Sequence, residues 1–457
     1  MVDLQDRPDL LVVNGTVLTM DEHGTVIQNG AVAVSGDSIR SVGPAEKFNI
    51  KGAARIIDAN GGIIMPGLIN THTHAAMTCF RGLADDMDLM TWLNEYIFPA
   101  EARLSHERVY TGAMLACAEM MLSGTTCFAD MYLFEDAVAQ AAARAGMRAV
   151  AGEVLYDFDS PNYGSIDKGF DYTLELIDRW RNDPLITIAV EPHSPYLCAP
   201  DLLRRAAAIS EEHEIPMIVH VAETAGEAEQ IRKTHGKSPV AHLADIGVLS
   251  PRFLACHCVA VSQEDIDLLR AHDVKVSHNP ESNMKLASGI APVPAMQAAG
   301  LCVALGTDGP TSNNNLDMFM EMDAAAKIHK VSQMDPTVMD AGTVLRMATI
   351  DAASALGLGN VTGSVEPGKK ADIIVIDTHK PHLTPMYNIC SHLVYAAGGA
   401  DVQHVVINGV PVVDDGRLVS FDAEAVMEQM EQIAAEIRGL HDWTAKRANT
   451  GAKAGKE

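Results

Sequence analysis

The stretch Pro66–Asp86 reads "PGLINTHTHAAMTCFRGLADD". Its two histidines, His72 and His74, stand two apart and follow an apolar run of Ile63, Ile64, Met65, Leu68 and Ile69. Residues two apart on a strand point the same way. The spacing therefore predicts two imidazoles aimed at one point, as a metal site needs. H-x-H also occurs as ordinary surface or core histidine, so the pair alone decides little.

The middle of the chain supplies the context. Eight apolar strand candidates follow in order: "GIIMPGLINTHTH", "GTTCFAD", "RAVAGEV", "ITIAVEPHS", "PMIVHVAET", "FLACHCV", "VKVSHNP" and "CVALGTDG". Helical stretches such as "PDLLRRAAAISEEHE" and "SQEDIDLLRAHD" separate most of them. Repeated strand–helix units imply parallel strands. Eight over roughly 300 residues predict an α/β fold with a (β/α)8 TIM-like barrel. An open doubly wound sheet would want a glycine-rich phosphate loop, and no G-x-G-x-x-G or G-x-x-x-x-G-K-[ST] is found.

Barrel chemistry sits where strands end. His72 and His74 end strand one, Asp130 strand two, and Glu191 with His193 strand four. His220 and Glu223 end strand five, His257 strand six, His278 and Asn279 strand seven, and Asp308 strand eight. Five of the eight endings carry a histidine. His72, His74, His220 and Asp308 make a three-imidazole, one-carboxylate set that suits zinc, while residue type leaves iron and manganese open. Strands three and four end in Glu153, Glu191 and His193 with no lysine to bridge a second ion, so one metal is expected.

The ends of the chain differ in texture. "DLLVVNGTVLTM", "GAVAVSGDSIRSVG" and "ARIIDANGG" are β-rich runs broken by Asn-Gly, Gly-Asp and Gly-Gly turns. The same texture returns in "KKADIIVIDTH" and "VQHVVINGVPVVDDGRL". A small composite β-sandwich built from both ends is expected, with the barrel inserted. The divisions are 1–64 and 366–425 for the sandwich, 65–365 for the barrel, and 426–457 for a C-terminal helix and frayed tail.

The chain has 457 residues, 47% of them hydrophobic, with 60 acids against 34 bases and a net charge of −26. The charge argues against nucleic acid and anionic membranes as partners, because such a surface repels both. No apolar run is long enough to span a bilayer, and "MVDLQDRPDL" does not resemble a signal peptide, so a cytoplasmic protein is expected. The eight cysteines, "CHC" at Cys256–Cys258 included, read as buried packing rather than disulfides or metal thiolates.

A bound divalent ion lowers the pKa of its water to about 7 and supplies hydroxide for attack on an sp² carbon. Asp308 can take the water proton and pass it to the leaving group, while Glu223 protonates a ring nitrogen beside the attacked carbon. His257 can hold the water in place. As ordinary residues, Glu223 would be a first-turn helix acid and His257 a core histidine. Together they describe hydrolytic deamination of a heteroaromatic amine better than amide hydrolysis.

The segments "PGLINTHTHAAMTCFRGLADDMDLMTWLNEYIFPAEA", "EPHSPYLC", "VHVAET", "SHNPESNMKLASGIAPV" and "GTDGPTSNNNLDMFMEMDAAAK" resemble the amidohydrolase superfamily. More narrowly they resemble the 5-methylthioadenosine/S-adenosylhomocysteine deaminases, from about Asp9 to about Arg417. The resemblance implies one catalytic zinc, a composite β-sandwich, a homo-oligomer, and hydrolysis of the 6-amino group of an adenosine derivative to the inosine analogue and ammonia. It places metal ligands at His72, His74, His220 and Asp308, and proton handling at Glu223 and Asp308. It gives Glu101 to the ribose hydroxyls and His193 to substrate contact. Trp92 stands in the matching "TWLNEY" and packs on the substrate or simply in the core. Sequence pattern alone would make Glu101 a solvated helix residue.

One departure bears on specificity. Relatives that handle S-adenosylhomocysteine well can carry arginines after strand three. Here Glu153 stands at the first such place, Arg148 starts the strand, and "DFDSPNYGSIDKGFDY" offers Lys168 against four aspartates. A carboxylate tail would be repelled, so short uncharged 5′ groups are expected: 5-methylthioadenosine, 5′-deoxyadenosine or adenosine. The rivals are a deaminase or chlorohydrolase acting on guanine, cytosine or an s-triazine and, more remotely, an inactive barrel scaffold.

Overall fold

The computed structural model describes residues 7–87 and 91–440. Eight parallel strands build the barrel: β1 Leu68–Thr73, β2 Thr125–Tyr132, β3 Arg148–Leu155, a split β4 at Ile186–Ile188 and Glu191–Pro192, β5 Met217–Val221, β6 Phe253–His257, β7 Lys275–His278 and β8 Val303–Leu305. Pairing runs continuously through β1–β4 and through β5–β8. Two seams close the ring. At one, Ile218 N–H donates to Val190 O at 3.1 Å and His220 N–H to His193 O at 2.9 Å. At the other, Asp308 N–H donates to His72 O at 2.9 Å, and Thr71 Oγ1 donates to Leu305 O at 2.9 Å. Every residue of β1, β2 and β3 is buried, as strands covered on both faces must be.

The helices between the strands carry their own start signals. Gln263–Ala271 opens on a capping box: Asp265 N–H donates to Ser262 Oγ at 3.2 Å, and Ser262 N–H to Asp265 Oδ2 at 2.9 Å. Ala225–His235 starts at Thr224, whose hydroxyl accepts from Glu227 N–H at 3.1 Å.

Both ends of the chain enter one nine-stranded sheet. Its central joint is Ile63–Pro66, antiparallel to Ile373–Ile376. Leu10, Val12 and Ile64 share one apolar core with Ile373, Val375 and Val406, which is the composite expected from the shared texture. Two details differ from the sequence reading. "GIIMPGLINTHTH" is two strands, because the chain breaks at Gly67 and leaves Ile63–Pro66 to the sheet. A Cβ at Gly67 would lie 2.1 Å from Thr126, so only glycine allows that approach. Asn14-Gly15 is not a turn. Asn14 has φ 59° inside the strand Leu10–Leu18, and the register shifts on both sides of Gly15, as at a bulge. Asn408-Gly409, with φ 51° and 80°, does form the tight hairpin turn between Val402–Ile407 and Val410–Asp414.

Arg148, at the far end of β3, ties barrel to sheet. Its Nε lies 2.8 Å from Asp372 Oδ2 and its Nη2 3.2 Å from Asp372 Oδ1, both side chains being buried. Helix Ala423–Leu440 is joined to helix His106–Leu122 by Arg108 Nη2–Glu436 Oε2 at 2.7 Å. The frayed tail expected at the end of 426–457 lies outside the described residues. Among those described, no helix is long and apolar enough to cross a membrane. All eight cysteines are free thiols, with Cys256 and Cys258 fully buried.

Candidate active site

The site is built on strand ends. Alternation along β1 sends His72 to the barrel axis and turns Thr73 away, where its hydroxyl donates to Ala129 O at 2.8 Å. Gly306 lets β8 approach, since a Cβ there would stand 2.7 Å from His72 N. Non-glycine residues at strand ends hold left-handed backbone, among them Ala222 at φ 52°, His257 at 72°, Cys258 at 47° and Asp308 at 62°. Such conformations cost of order 1–3 kcal/mol each and gather where geometry serves function.

The structure brings His72, His74, His220 and Asp308 together. Ring centroids lie 4.9 Å apart for His72–His74, 4.9 Å for His72–His220 and 5.4 Å for His74–His220. Asp308 Oδ1 stands 3.4 Å from His72 Nε2 and 3.1 Å from His74 Nε2. Its Oδ2 accepts from Ser282 Oγ at 2.6 Å and Ser312 Oγ at 2.9 Å, so each oxygen has its own direction. His220 Nδ1 donates to His193 O at 2.8 Å and His74 Nδ1 to Met131 O. Each of these bonds leaves the Nε2 atom of that ring to the cluster.

This donor set fits one divalent cation. His72 Nε2 is buried without a hydrogen-bond partner, a costly state for a polar atom unless something coordinates it. Burial lowers His72 to about 4 and holds His220 well below the usual histidine range, so both rings are neutral, the form in which an imidazole can bind a metal. Burial would lower His74 too, but its hydrogen bond to Asp308 prevails and raises it to about 9. Burial would raise Asp308, yet the two imidazoles keep it well below the carboxylate range. The arrangement therefore favours positive charge at this point.

The proton-handling candidates surround the cluster. Glu223 Oε2 is 4.0 Å from His257 Nε2, and Ser288 Oγ donates to Glu223 Oε1 at 3.5 Å. Burial raises the Glu223 carboxyl, so it keeps a proton more readily than a free side chain. His257 Nδ1 bonds Asn283 Oδ1 at 3.0 Å, and its ring centroid lies 5.5 Å from those of both His72 and His220. Sequence reasoning missed the residue that aims Glu223. Glu227 is buried, and its Oε1 and Oε2 accept from Ala222 N–H at 3.0 Å and Glu223 N–H at 2.7 Å. The only hint was an acid four residues on, in "ETAGE", which reads equally well as a helix first-turn carboxylate.

Above the cluster lies a cavity of about 470 Å³. His193 lines it, neutral because burial lowers its imidazole to about 3. Glu101 is not a solvated helix residue: it lines the cavity and accepts from Tyr132 OH at 2.8 Å. Burial raises its carboxyl to about 7. Tyr132 was also missed, although alternation places it on the same side of β2 as Asp130. The side chain of Trp92 lies outside the described residues. Glu153 does not face the cavity. It accepts from Glu135 N–H at 2.9 Å and Asn162 Nδ2 at 2.9 Å, while its neighbour Val154 forms the wall. Lys168 is exposed on helix Ile166–Trp180, away from the lining. Among the described residues the lining contains no Lys or Arg.

Residues 63–412 match the model of the amidohydrolase family. The chain is 56% identical over 433 residues to a 5-methylthioadenosine/S-adenosylhomocysteine deaminase of Syntrophobacter fumaroxidans, covering 94% of this chain and 99% of the relative. It is 43% identical over 442 residues to a 5′-deoxyadenosine deaminase of Methanothermobacter thermautotrophicus, covering 95% and 100%. The crystal structure of an adenosine deaminase from Xanthomonas campestris with bound zinc superposes with a TM-score of 0.92 at 39% identity, covering 94% of this chain and 99% of that one. The chain belongs to the amidohydrolase family, and within it to the group of the 5-methylthioadenosine/S-adenosylhomocysteine deaminases.

Proposed function

We propose that this protein is a zinc-dependent deaminase that hydrolyses the 6-amino group of 5′-substituted adenosines, giving the inosine analogue and ammonia. The observation that carries the reading is the His72, His74 and Asp308 cluster, with His220 against His72, at the base of a cavity, and beside it Glu223, whose carboxyl burial raises. Full-length similarity to deaminases of such nucleosides supports it, and the zinc bound by the Xanthomonas campestris enzyme supports the choice of metal.

The cluster would hold the ion, which when bound supplies a water of pKa about 7 as nucleophile. Asp308, ionised and fixed by two serine hydroxyls, takes the proton released there and returns it to the departing amine. Glu223, whose carboxyl burial raises, donates to the ring nitrogen beside the attacked carbon. His257, fixed by Asn283, orients the attacking water, and His193 contacts the purine. Glu101 accepts from the ribose hydroxyls.

Short uncharged 5′ groups are preferred over S-adenosylhomocysteine, because the lining offers no cation among the described residues to a carboxylate. A homo-oligomer rests on the family resemblance and a cytoplasmic location on the sequence reading; sedimentation velocity and fractionation check them. The main test is a panel of 5-methylthioadenosine, 5′-deoxyadenosine, adenosine and S-adenosylhomocysteine, followed by loss of 6-aminopurine absorbance and release of ammonia, beside metal analysis. Folded, zinc-loaded protein that turns over none of the panel would sink the reading. A higher kcat/KM for S-adenosylhomocysteine would sink the 5′ preference alone.

A further inference from the structure

Among the described residues, four carboxylates line the cavity: Glu101, Asp159, Glu223 and Asp308. Three have work in the reaction above, and Asp159 has none. It lies on the loop after β3, where the wall climbs from a buried Tyr156 to an exposed Phe158 and an exposed Asp159. Tyr156 and Phe158 stack at 3.9 Å between ring centroids and 12° between planes. One face of each ring is therefore spent on the other, and Phe158 remains 47% exposed. The other acid beside Phe158, Asp157, accepts from the Ala199 amide. Asp159 has no hydrogen bond or ion pair among the described residues, so its charge is unspent.

The placement matters if the purine is bound as the deaminase reading requires, and this inference rests on that reading. With the 6-amino group at the metal cluster, the sugar points outward and its 5′ substituent is what reaches the rim. There it meets one unpaired carboxylate, two stacked aromatics and no Lys or Arg among the described residues. Aromatic faces attract cations, and a chain of net charge −26 adds a field of the same sign.

We propose that Asp159, with the Tyr156–Phe158 stack, forms a cation-selecting subsite, so that adenosines carrying an alkylammonium group on the 5′ substituent are preferred over neutral isosteres and over carboxylates. This goes beyond the absence of an arginine, which explains only why anions do badly.

Three adenosine 5′-thioethers test it: the 3-aminopropyl, butyl and 2-carboxyethyl compounds, compared by kcat/KM at low and high salt. The expected order is amine, butyl, carboxylate, with the amine ahead of butyl by about fivefold, the upper end for an exposed ion pair. The gap should narrow at high salt. Asp159→Asn should bring the amine-to-butyl ratio close to one, and Asp159→Lys should move the carboxylate ahead of the amine. Each ratio is internal to one variant, so a general loss of activity does not distort it. Turnover of all three with the amine no better than butyl, or an unchanged ratio in Asp159→Asn, overturns this inference alone. No turnover of any of the three, nor of 5-methylthioadenosine, overturns the deaminase reading and this one with it.

Discussion

Replacing Glu227 by Gln should slow the reaction without weakening substrate binding. The carboxylate uses one oxygen on each of two consecutive amides, at Ala222 and Glu223. It thereby fixes a backbone that is already left-handed at Ala222, with φ 52°. Gln keeps one acceptor and turns an amine toward the other N–H, so two donors oppose each other in a buried place. A buried donor left without its partner costs about 1–3 kcal/mol. If that is relieved by swinging Glu223 off its aim, kcat falls between about fivefold and about 150-fold. Misplacement by about 1 Å has effects of that size. KM should stay within about twofold, because most of the cavity wall comes from other strands. Burial holds the Glu227 carboxyl up to about 7, so the doubly accepting ionised form is complete only above that pH. The acid limb of kcat should accordingly flatten in Glu227→Gln. Steady-state absorbance assays across pH, with melting temperatures of both proteins, make the comparison. A folded Glu227→Gln enzyme with wild-type kcat, or one whose loss lies wholly in KM, would refute the positioning role.

Glu101→Gln should raise KM for nucleosides by about 10- to 100-fold, the range of a lost charged hydrogen bond, and leave any turnover of free bases unchanged. The Glu101 carboxyl titrates near 7, and its ionised form accepts from more hydroxyls, so wild-type KM should rise as pH falls below that value. KM profiles of the two enzymes check both points. Dialysis against a zinc chelator should abolish ammonia release and lower the melting temperature, and added Zn2+ should restore both. Arg148→Met should cost about 3–5 kcal/mol in denaturant unfolding, because Asp372 is left buried and charged. Arg148→Met with Asp372→Asn should recover most of that loss.

Strand order and the metal-ligand candidates were legible because both are periodic. Apolar runs at strand length, each closed by His, Asp or Glu, need no tertiary information to be seen. What was not legible depends on what comes close in space. Nothing local to "IIMPGLI" says that Gly67 must let Thr126 past, so one apolar run was read where two sheets meet. Glu153 was placed at the right strand end but on the wrong face: its carboxylate is taken up by Glu135 N–H and Asn162 Nδ2, and Val154 lines the cavity instead. Asn14-Gly15 carries the same dipeptide as Asn408-Gly409 but bulges, because the strand beyond it continues to pair with Val26 and Ile27. Glu227 and Tyr132 act through partners that only the folded chain supplies.

The joint at the centre of the nine-stranded sheet also sets a timetable. Ile63–Pro66 pairs with Ile373–Ile376, about 310 residues later. At synthesis rates of about 5–20 residues per second, the first strands wait roughly 15–60 s for their neighbours to leave the ribosome. During that interval the edge of Ile63–Pro66 is an apolar strand with open backbone groups, directly upstream of the histidines of β1. Until the last strands are made, the N-terminal sheet cannot complete its shared core. A nascent chain stalled before residue 373 is thus the species in which aggregation, or chaperone capture, should concentrate.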